Sequence, residues 1–279
     1  MMTKREISRG AVWRQWDLHV HTPASFHWSG DRFDVDLSST KSKKLVDEMI
    51  EAMNNAEPAV FAIMDYWTFD GWLALRRRLK DENAPALKKF VLPGIELRLA
   101  APMKGRLNAH VLFSNEVDEQ VLQDFISALR VELVDRPLSE SALRELARKV
   151  GEDKLKHHGF KKVDVDASDE KALLAGAVIA EINADSYREA IRKVPNAHAI
   201  GFMPFDTNDG LAEVGWQEHY AYAMNLFQTS PIFETRDTDL RGAFVGEQTA
   251  GNAKWFKNFQ AGLNNIPRLA VSGSDAHCF

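Results

Sequence analysis

The sequence predicts an α/β fold whose strands close into a barrel, and three observations point there. Short apolar strand candidates, about seven of them, alternate with helical patterns along the chain. No Gly-rich phosphate fingerprint follows the first strand, which removes the signature of an open dinucleotide-binding sheet. Polar residues stand at the C-terminal ends of several different strands, and a barrel gathers those ends on one face. With 279 residues and no internal repeat, low-complexity tract or long linker, the chain reads as a single domain over 1–279.

The first strand, 16–20, is a short buried run that opens into a polar loop, where Ser38, Ser39 or Thr40 can cap the next helix. That helix, 43–54, sets Leu45, Val46, Met49, Ile50 and Met53 on one face. An apolar strand follows at 59–64, then a helix at 69–80 bearing Arg76, Arg77 and Arg78. A third strand, 90–92, reaches Pro93-Gly94 and continues as Ile-Glu-Leu-Arg-Leu-Ala. Strand 110–113 leads to helix 119–133; Pro137 interrupts, and Ser139 with Leu143, Leu146 and Val150 spaces a further helix. Residues 134–168 read as a helical, basic insertion, polar over 151–166. A long helical pattern spans 169–193, weakened at Gly176. Strand 199–203, a loop rich in Asp, Asn and Gly, helix 217–227, strand 231–233, helix 253–263 and strand 268–272 complete the alternation.

Thirty-five Lys and Arg against forty Asp and Glu leave a net charge of −5, so no global basic field advertises nucleic acid or an anionic membrane. A nuclease with its positive charge confined to one groove stays open. The lone Cys278 excludes an internal disulfide and a Cys-rich zinc site, which makes the cytoplasm the expected compartment. The N-terminus carries charge but no apolar leader region. The longest apolar stretch, 172–180, is stopped by Glu181 well short of the roughly 20 residues a membrane span needs, so no membrane association is expected.

The chemistry gathers at strand ends. In Asp17-Leu18-His19-Val20-His21-Thr22, residues two apart share a face, so His19 and His21 present adjacent imidazoles. A pair of surface or hydrogen-bonded histidines is the ordinary alternative. Further positions favour a cation between them. Glu96 follows an apolar strand and a Pro-Gly bend, where a carboxylate is costly to bury without a cation or donors. Asp275 and His277 stand two apart in Gly-Ser-Asp-Ala-His, and His110 precedes Val111-Leu112-Phe113. Imidazoles and carboxylates without thiolates suit Zn, Mn or Fe better than Ca or Mg alone, and a multinuclear catalytic metal site is the reading. No Ser-His-Asp or Cys-His nucleophile arrangement competes with it, and Cys278 reads as incidental. His198, at the start of its strand, reads as structural; His157 and His158 as solvated or substrate-contacting; His219 as packing or surface.

These motifs, DLHVHT, PGIE and GSDAH in this order over residues 16–277, resemble the PHP superfamily of polymerase- and histidinol-phosphatase-type phosphoesterases. The flanking Trp-Arg-Gln-Trp and Pro-Ala-Ser-Phe are similar to the TrlF-like subgroup, in which the module precedes an AAA/SMC-type ATPase and is implicated in RNA cleavage or phage defence. The resemblance implies a distorted seven-stranded (β/α) TIM-like barrel of the PHP type with two or three divalent ions, Mn or Zn first, Fe or Mg as alternatives. It implies that His19, His21, Glu96 and Asp275 hold one ion, that Glu96 bridges to a second bound by His110, and that His27 and His277 hold a third. Asp17 and Asp65 would stand behind the ligands, with Asp17 orienting a histidine ring. Two motifs depart from the family: Met64-Asp65-Tyr66 replaces Thr-Asp-His, and Met203-Pro204 replaces His-Pro. The first ion site is then expected intact, the second weakened or completed by water or Asp206, and the third doubtful. Tyr66 is open to binding a phosphate oxygen, protonating a leaving group, or packing.

The function expected is a metal-dependent phosphodiester hydrolase of nuclease type, with Glu96, Asp275, His277 and Tyr66 as its catalytic residues, and an ATPase domain in cis as partner. The alternatives are a phosphomonoesterase of a small metabolite and a catalytically weakened metal-binding structural module. Residues 144–162 carry seven Lys or Arg against three acids, a surplus that serves either a phosphodiester backbone or a solvated helix face. Nucleic acid would be bound without sequence readout, since no recognition motif accompanies that stretch; a homo-oligomer is compatible with all of this. Because Phe279 follows so closely on the last motif, the chain is expected to be the N-terminal part of a longer polypeptide.

Overall fold

A computed structural model describes residues 14–207 and 209–278. The start of the chain, read above as lacking an apolar leader, and Phe279 lie outside them. The elements are β1 (Trp16–Val20), α1 (Thr40–Asn55), β2 (Val60–Ile63), α2 (Asp70–Arg78), β3 (Phe90–Leu99), β4 (Leu107–Phe113), α3 (Glu119–Ala128), β5 (Arg130–Val131), β6 (Arg136–Pro137) and α4 (Glu140–Lys149). They continue with α5 (Glu152–His157), α6 (Lys162–Ala167), α7 (Asp169–Ile179), α8 (Ala184–Lys193), β7 (Ala199–Pro204), α9 (Tyr220–Thr229), β8 (Ile232–Glu234), α10 (Thr238–Val245), α11 (Phe256–Gly262) and β9 (Leu269–Val271). No described helix is long and apolar enough to cross a membrane.

The fold is mixed α/β, and its main sheet has seven strands in the order β1-β2-β3-β4-β7-β8-β9. The expected closed barrel is not formed. The sheet curls into a half-barrel, and its two edge strands do not pair as a ladder: they are joined by one isolated parallel bridge, Val20 with Ala276, and the hydrogen bonds around it. The cause is local. β9 ends at Val271, and Asp275 turns through the left-handed region at φ 53°, which takes the chain out of a continuous ladder. Leu18, Val60, Ala62, Met64, Leu92, Phe202 and Ile232 pack together from strands that are not all neighbours and floor the inner face of the curl.

The sheet is also not all parallel. β4 runs antiparallel to both β3 and β7. His110 therefore reaches the same end of the sheet as Glu96 although it lies mid-strand, because the register pairs the two directly. Pro93 and Gly94 do not break β3, which runs unbroken for ten residues; a Cβ at Gly94 would fall 2.9 Å from the Ile63 carbonyl oxygen.

The helix expected over 169–193 is two. The break falls at 180–183 rather than at Gly176, because Ile182 leaves the helix to hydrogen-bond the end of β3: its N–H donates to Arg98 O, and Ala100 N–H donates to Ile182 O. Asn183 then caps α8. Gly176 stays helical and lets α7 approach the Leu143 backbone of α4. The helix expected over 119–133 stops at Ala128 and gives way to the β5–β6 hairpin, and α10 was not anticipated. Of the three candidates Ser39 caps α1, and Ser139 caps α4. In the basic stretch 144–162, Arg144, Arg148, Lys154 and Lys162 are engaged in ion pairs with Glu140, Asp169, Glu181 and Asp166.

Candidate metal centre

The site begins with a bulge. Asp17 pairs with Phe61 and Val20 with Ile63, so three steps on β1 oppose two on β2. Such an extra residue re-aims side chains. Leu18 packs into the floor, while the next residue, His19, already faces the carboxylates above it.

Four donor atoms then converge. His19 Nε2 and His21 Nε2 each lie 3.2 Å from Glu96 Oε2 and 3.5 Å from Asp275 Oδ1. A tetrahedral ion with bonds of about 2.0–2.1 Å spaces its ligand atoms about 3.3–3.4 Å apart. The spacing fits. Both ring nitrogens of His21 are buried without a hydrogen-bond partner, the state of an imidazole whose partner is a cation. The seam supplies the fourth ligand: Asp275 N–H donates to His19 O at 2.9 Å, and His21 N–H donates to Ala276 O at 3.0 Å.

The far oxygen of Glu96 is differently occupied. Oε1 accepts from Tyr66 Oη and from Asn108 Nδ2, each at 2.8 Å, and His110 Nε2 stands 3.4 Å away. His110 joins His19 and Glu96 in a second convergent triplet, and both of its ring nitrogens are buried without a hydrogen-bond partner. Tyr187, reaching from α8, donates its hydroxyl to the His110 carbonyl at 3.0 Å and steadies that strand.

The remaining expected residues take other places. His27 Nε2 lies 3.0 Å from Arg98 Nη2, so its lone pair accepts from a guanidinium and is not aimed at the four donors. His277 stacks on His21 with ring centres 4.1 Å apart, and its Nε2 is 3.1 Å from Asp275 Oδ1. Asp65 is fully buried, accepts from Thr22 N–H and Oγ1–H, and lies 3.9 Å from His21 Nδ1. Asp17 meets no imidazole ring; its carboxylate accepts from His19 N–H and Ser274 N–H and so binds the two edges of the seam. Met203 is buried in the main core, and Asp206 is exposed on the rim of the cleft. His157 and His158 lie together in the basic stretch, and His198 precedes β7 at the end opposite the cleft.

Three residues of the site escaped the sequence reading. Glu234 Oε2 lies 3.4 Å from His19 Nδ1. Like Glu96 it is a carboxylate at the end of an apolar strand, and it lies one residue past the strand expected over 231–233. Asn108 and Arg98 are paired opposite each other on β4 and β3, and a two-residue period extended from Glu96 and His110 reaches both. Arg98 is buried, stacks on the Tyr66 ring at 4.7 Å, and donates to Val178 O.

The electrostatics favour a cation at this point. Burial works against a charged His19, yet Glu96 and Glu234 on its two sides outweigh it and hold the imidazole well above its usual range. Burial likewise opposes ionised Glu96, but His19, His110 and His21 hold its carboxyl well below the usual range. His27 is pushed down to about 4 by burial and by Arg98, with His277 adding to it. Burial lifts Asp65 to about 6 against His21 and Thr22. The cleft above, about 410 Å³, is lined by the carboxylates Glu96, Asp206, Asp209, Glu234 and Asp275 and by one guanidinium, Arg236.

No family model matches the sequence, and no curated protein matches it. Among solved structures, an amidohydrolase from Chromobacterium violaceum, with bound sulfate and no metal, aligns at TM-score 0.44 and 14% identity over 95% of this chain and 88% of its own. A Bifidobacterium adolescentis protein, assigned provisionally as a metal-dependent phosphoesterase, aligns at TM-score 0.39 and 13% identity over 95% and 88%. Both likenesses are distant.

Proposed function

We propose that this protein is a metal-dependent hydrolase of phosphate esters whose ion is held by His19, His21, Glu96 and Asp275. The observation that carries the proposal is the 3.2–3.5 Å separation of the two imidazole nitrogens from the two carboxylate oxygens, with both ring nitrogens of His21 left without a hydrogen-bond partner. An ion in that position supplies Lewis-acid charge and a water acidified toward neutral pH. The protein's own residues do the rest. Glu234 fixes the His19 ring so that Nε2 faces the ligand cluster. Arg236, the guanidinium among the cleft-lining residues, makes no ion pair or hydrogen bond with the described residues and can meet a substrate anion. His277, about a third exposed at the rim, can hold a proton at Nε2 and pass it to a leaving oxygen. Tyr66 already spends its proton on Glu96, which supports a positioning role for it.

The finer reading, a nuclease-type phosphodiesterase that acts on nucleic acid with an ATPase partner, is supported by the motif resemblance. Metal-stripped protein reloaded with Mn²⁺ or Zn²⁺ and assayed on bis-aryl phosphate, mono-aryl phosphate, RNA and DNA tests it. Expected is metal-restored turnover of the diester that Asp275→Asn abolishes. Preference for the monoester would move the reading to a phosphomonoesterase, and no turnover of any phosphate ester would overturn it.

A further inference from the structure

Glu96 gives its two oxygens to different surroundings. Oε2 meets the nitrogens of His19 and His21. Oε1 meets two hydrogen-bond donors, Tyr66 Oη–H and Asn108 Nδ2–H, both at 2.8 Å. A carboxylate oxygen offers about two lone-pair sites, and on Oε1 both are taken.

Neither donor is a loose surface group. Tyr66 is buried and clamped, stacked on His21 at 5.4 Å with rings 8° from parallel, and covered by the Arg98 guanidinium at 4.7 Å. Asn108 is fixed in the β4 ladder directly opposite Arg98. A second ion beside Oε1 would have to displace one of them. It would then find His110 and share His19 and Glu96 with the first site, while Met203 belongs to the main core and the other carboxylates of the cleft, Asp206, Asp209 and Glu234, stand outside that triplet.

Resting on the hydrolase reading above, we infer that the centre takes a single divalent ion, and that Tyr66 and Asn108 enforce this by capping the outer oxygen of Glu96. Both are positioning residues: they hold Glu96 as a ligand to one ion and keep it from bridging two. Arg236 is then the second positive charge that a substrate meets in the cleft.

The test is a metal count on the full chain. Stripped protein is equilibrated with excess Mn²⁺ and desalted; bound metal is measured by elemental analysis, and its spin state by electron paramagnetic resonance. Expected is one ion per chain with the spectrum of isolated Mn²⁺. Tyr66→Phe combined with Asn108→Ala, checked for native thermal unfolding, should raise the count toward two and bring in spin coupling; Tyr66→Phe alone is the milder version should the pair not fold. Two coupled ions in the parent would overturn the inference and leave the hydrolase reading standing. A count fixed at one in folded variants would overturn the role of the two caps. No bound metal in the parent would overturn the hydrolase reading itself.

Discussion

Glu234 Oε2 lies 3.4 Å from His19 Nδ1, while the opposite nitrogen of the same ring lies 3.2 Å from Glu96 Oε2. The ring is thereby held at both ends, with its tautomer set by Glu234. Carboxylates placed behind ligand histidines tune metal affinity by about 10- to 100-fold. Glu234→Leu should weaken metal binding within that range, and Glu234→Gln, which keeps an acceptor, should lose less. Competition against a chromophoric chelator measures both, and unchanged affinity in Glu234→Leu would remove the residue from the centre.

Metal removal should be visible in stability without any substrate. An ion present at 100 times its dissociation constant adds about 2.7 kcal/mol. Thermal unfolding should therefore shift up by several degrees on adding Mn²⁺ or Zn²⁺ and return with chelator. His19→Ala should be insensitive to both; an equal response in that variant would place the stabilising ion elsewhere.

How much of this was legible in the sequence depended on how local each signal was. His19, His21, Glu96, His110 and Asp275 could be singled out because each stands beside a short apolar run, and the structure brings those five together. What failed were features decided by partners far away in sequence. That β4 runs antiparallel follows from its pairing with β3 and β7, which no residue within it announces. The break between α7 and α8 exists because Ile182 finds the backbone of Arg98 and Ala100. His27 is placed by motif spacing, and the neighbour at its Nε2, Arg98 of β3, is 71 positions away in sequence. The barrel failed to close for a local reason that is easy to overlook, a three-residue last strand.

Gly273 is a second point of leverage on the centre. A Cβ there would fall 2.3 Å from His19 Cβ, a contact that neither backbone can relieve without opening the seam. Gly273→Ala should cost about 1–3 kcal/mol as an overpacking substitution and reduce metal affinity along with stability. Denaturant unfolding and metal titration on the same sample check it. Lost stability with unaltered metal binding would show that the seam and the centre are independent.

Alkaline pH should unfold the protein through its buried phenols. Burial raises the Tyr187 hydroxyl above its ordinary value, whereas in the unfolded chain it ionises near about 10. The folded state thus keeps a proton that the unfolded state releases, so this contribution to stability is intact below pH ~10 and is lost as pH rises beyond it. Tyr66 and Tyr222 are raised in the same direction, both chiefly by burial. Tyr187→Phe gives up its bond to the His110 carbonyl, about 1 kcal/mol at neutral pH, and should decline less steeply between pH 9 and 11. Urea midpoints across that range decide the matter; parallel slopes would mean that Tyr187 ionises freely.

The seam where β1 meets the 273–276 segment also bears on how the molecule is made. His19 and Ser274 touch there although they are 255 positions apart in sequence. Closing so long a loop costs entropy that grows only slowly with length, but it is the kind of contact a chain completes late. An ion held as proposed by His19 and His21 at one end and Asp275 at the other would bind only the chain whose seam has formed, and would stabilise that state by mass action. Assembly of the reactive centre and completion of the fold are then one event. A chain in which the seam has not formed lacks Asp275 beside His19 and His21, and so would lack the proposed ligand set.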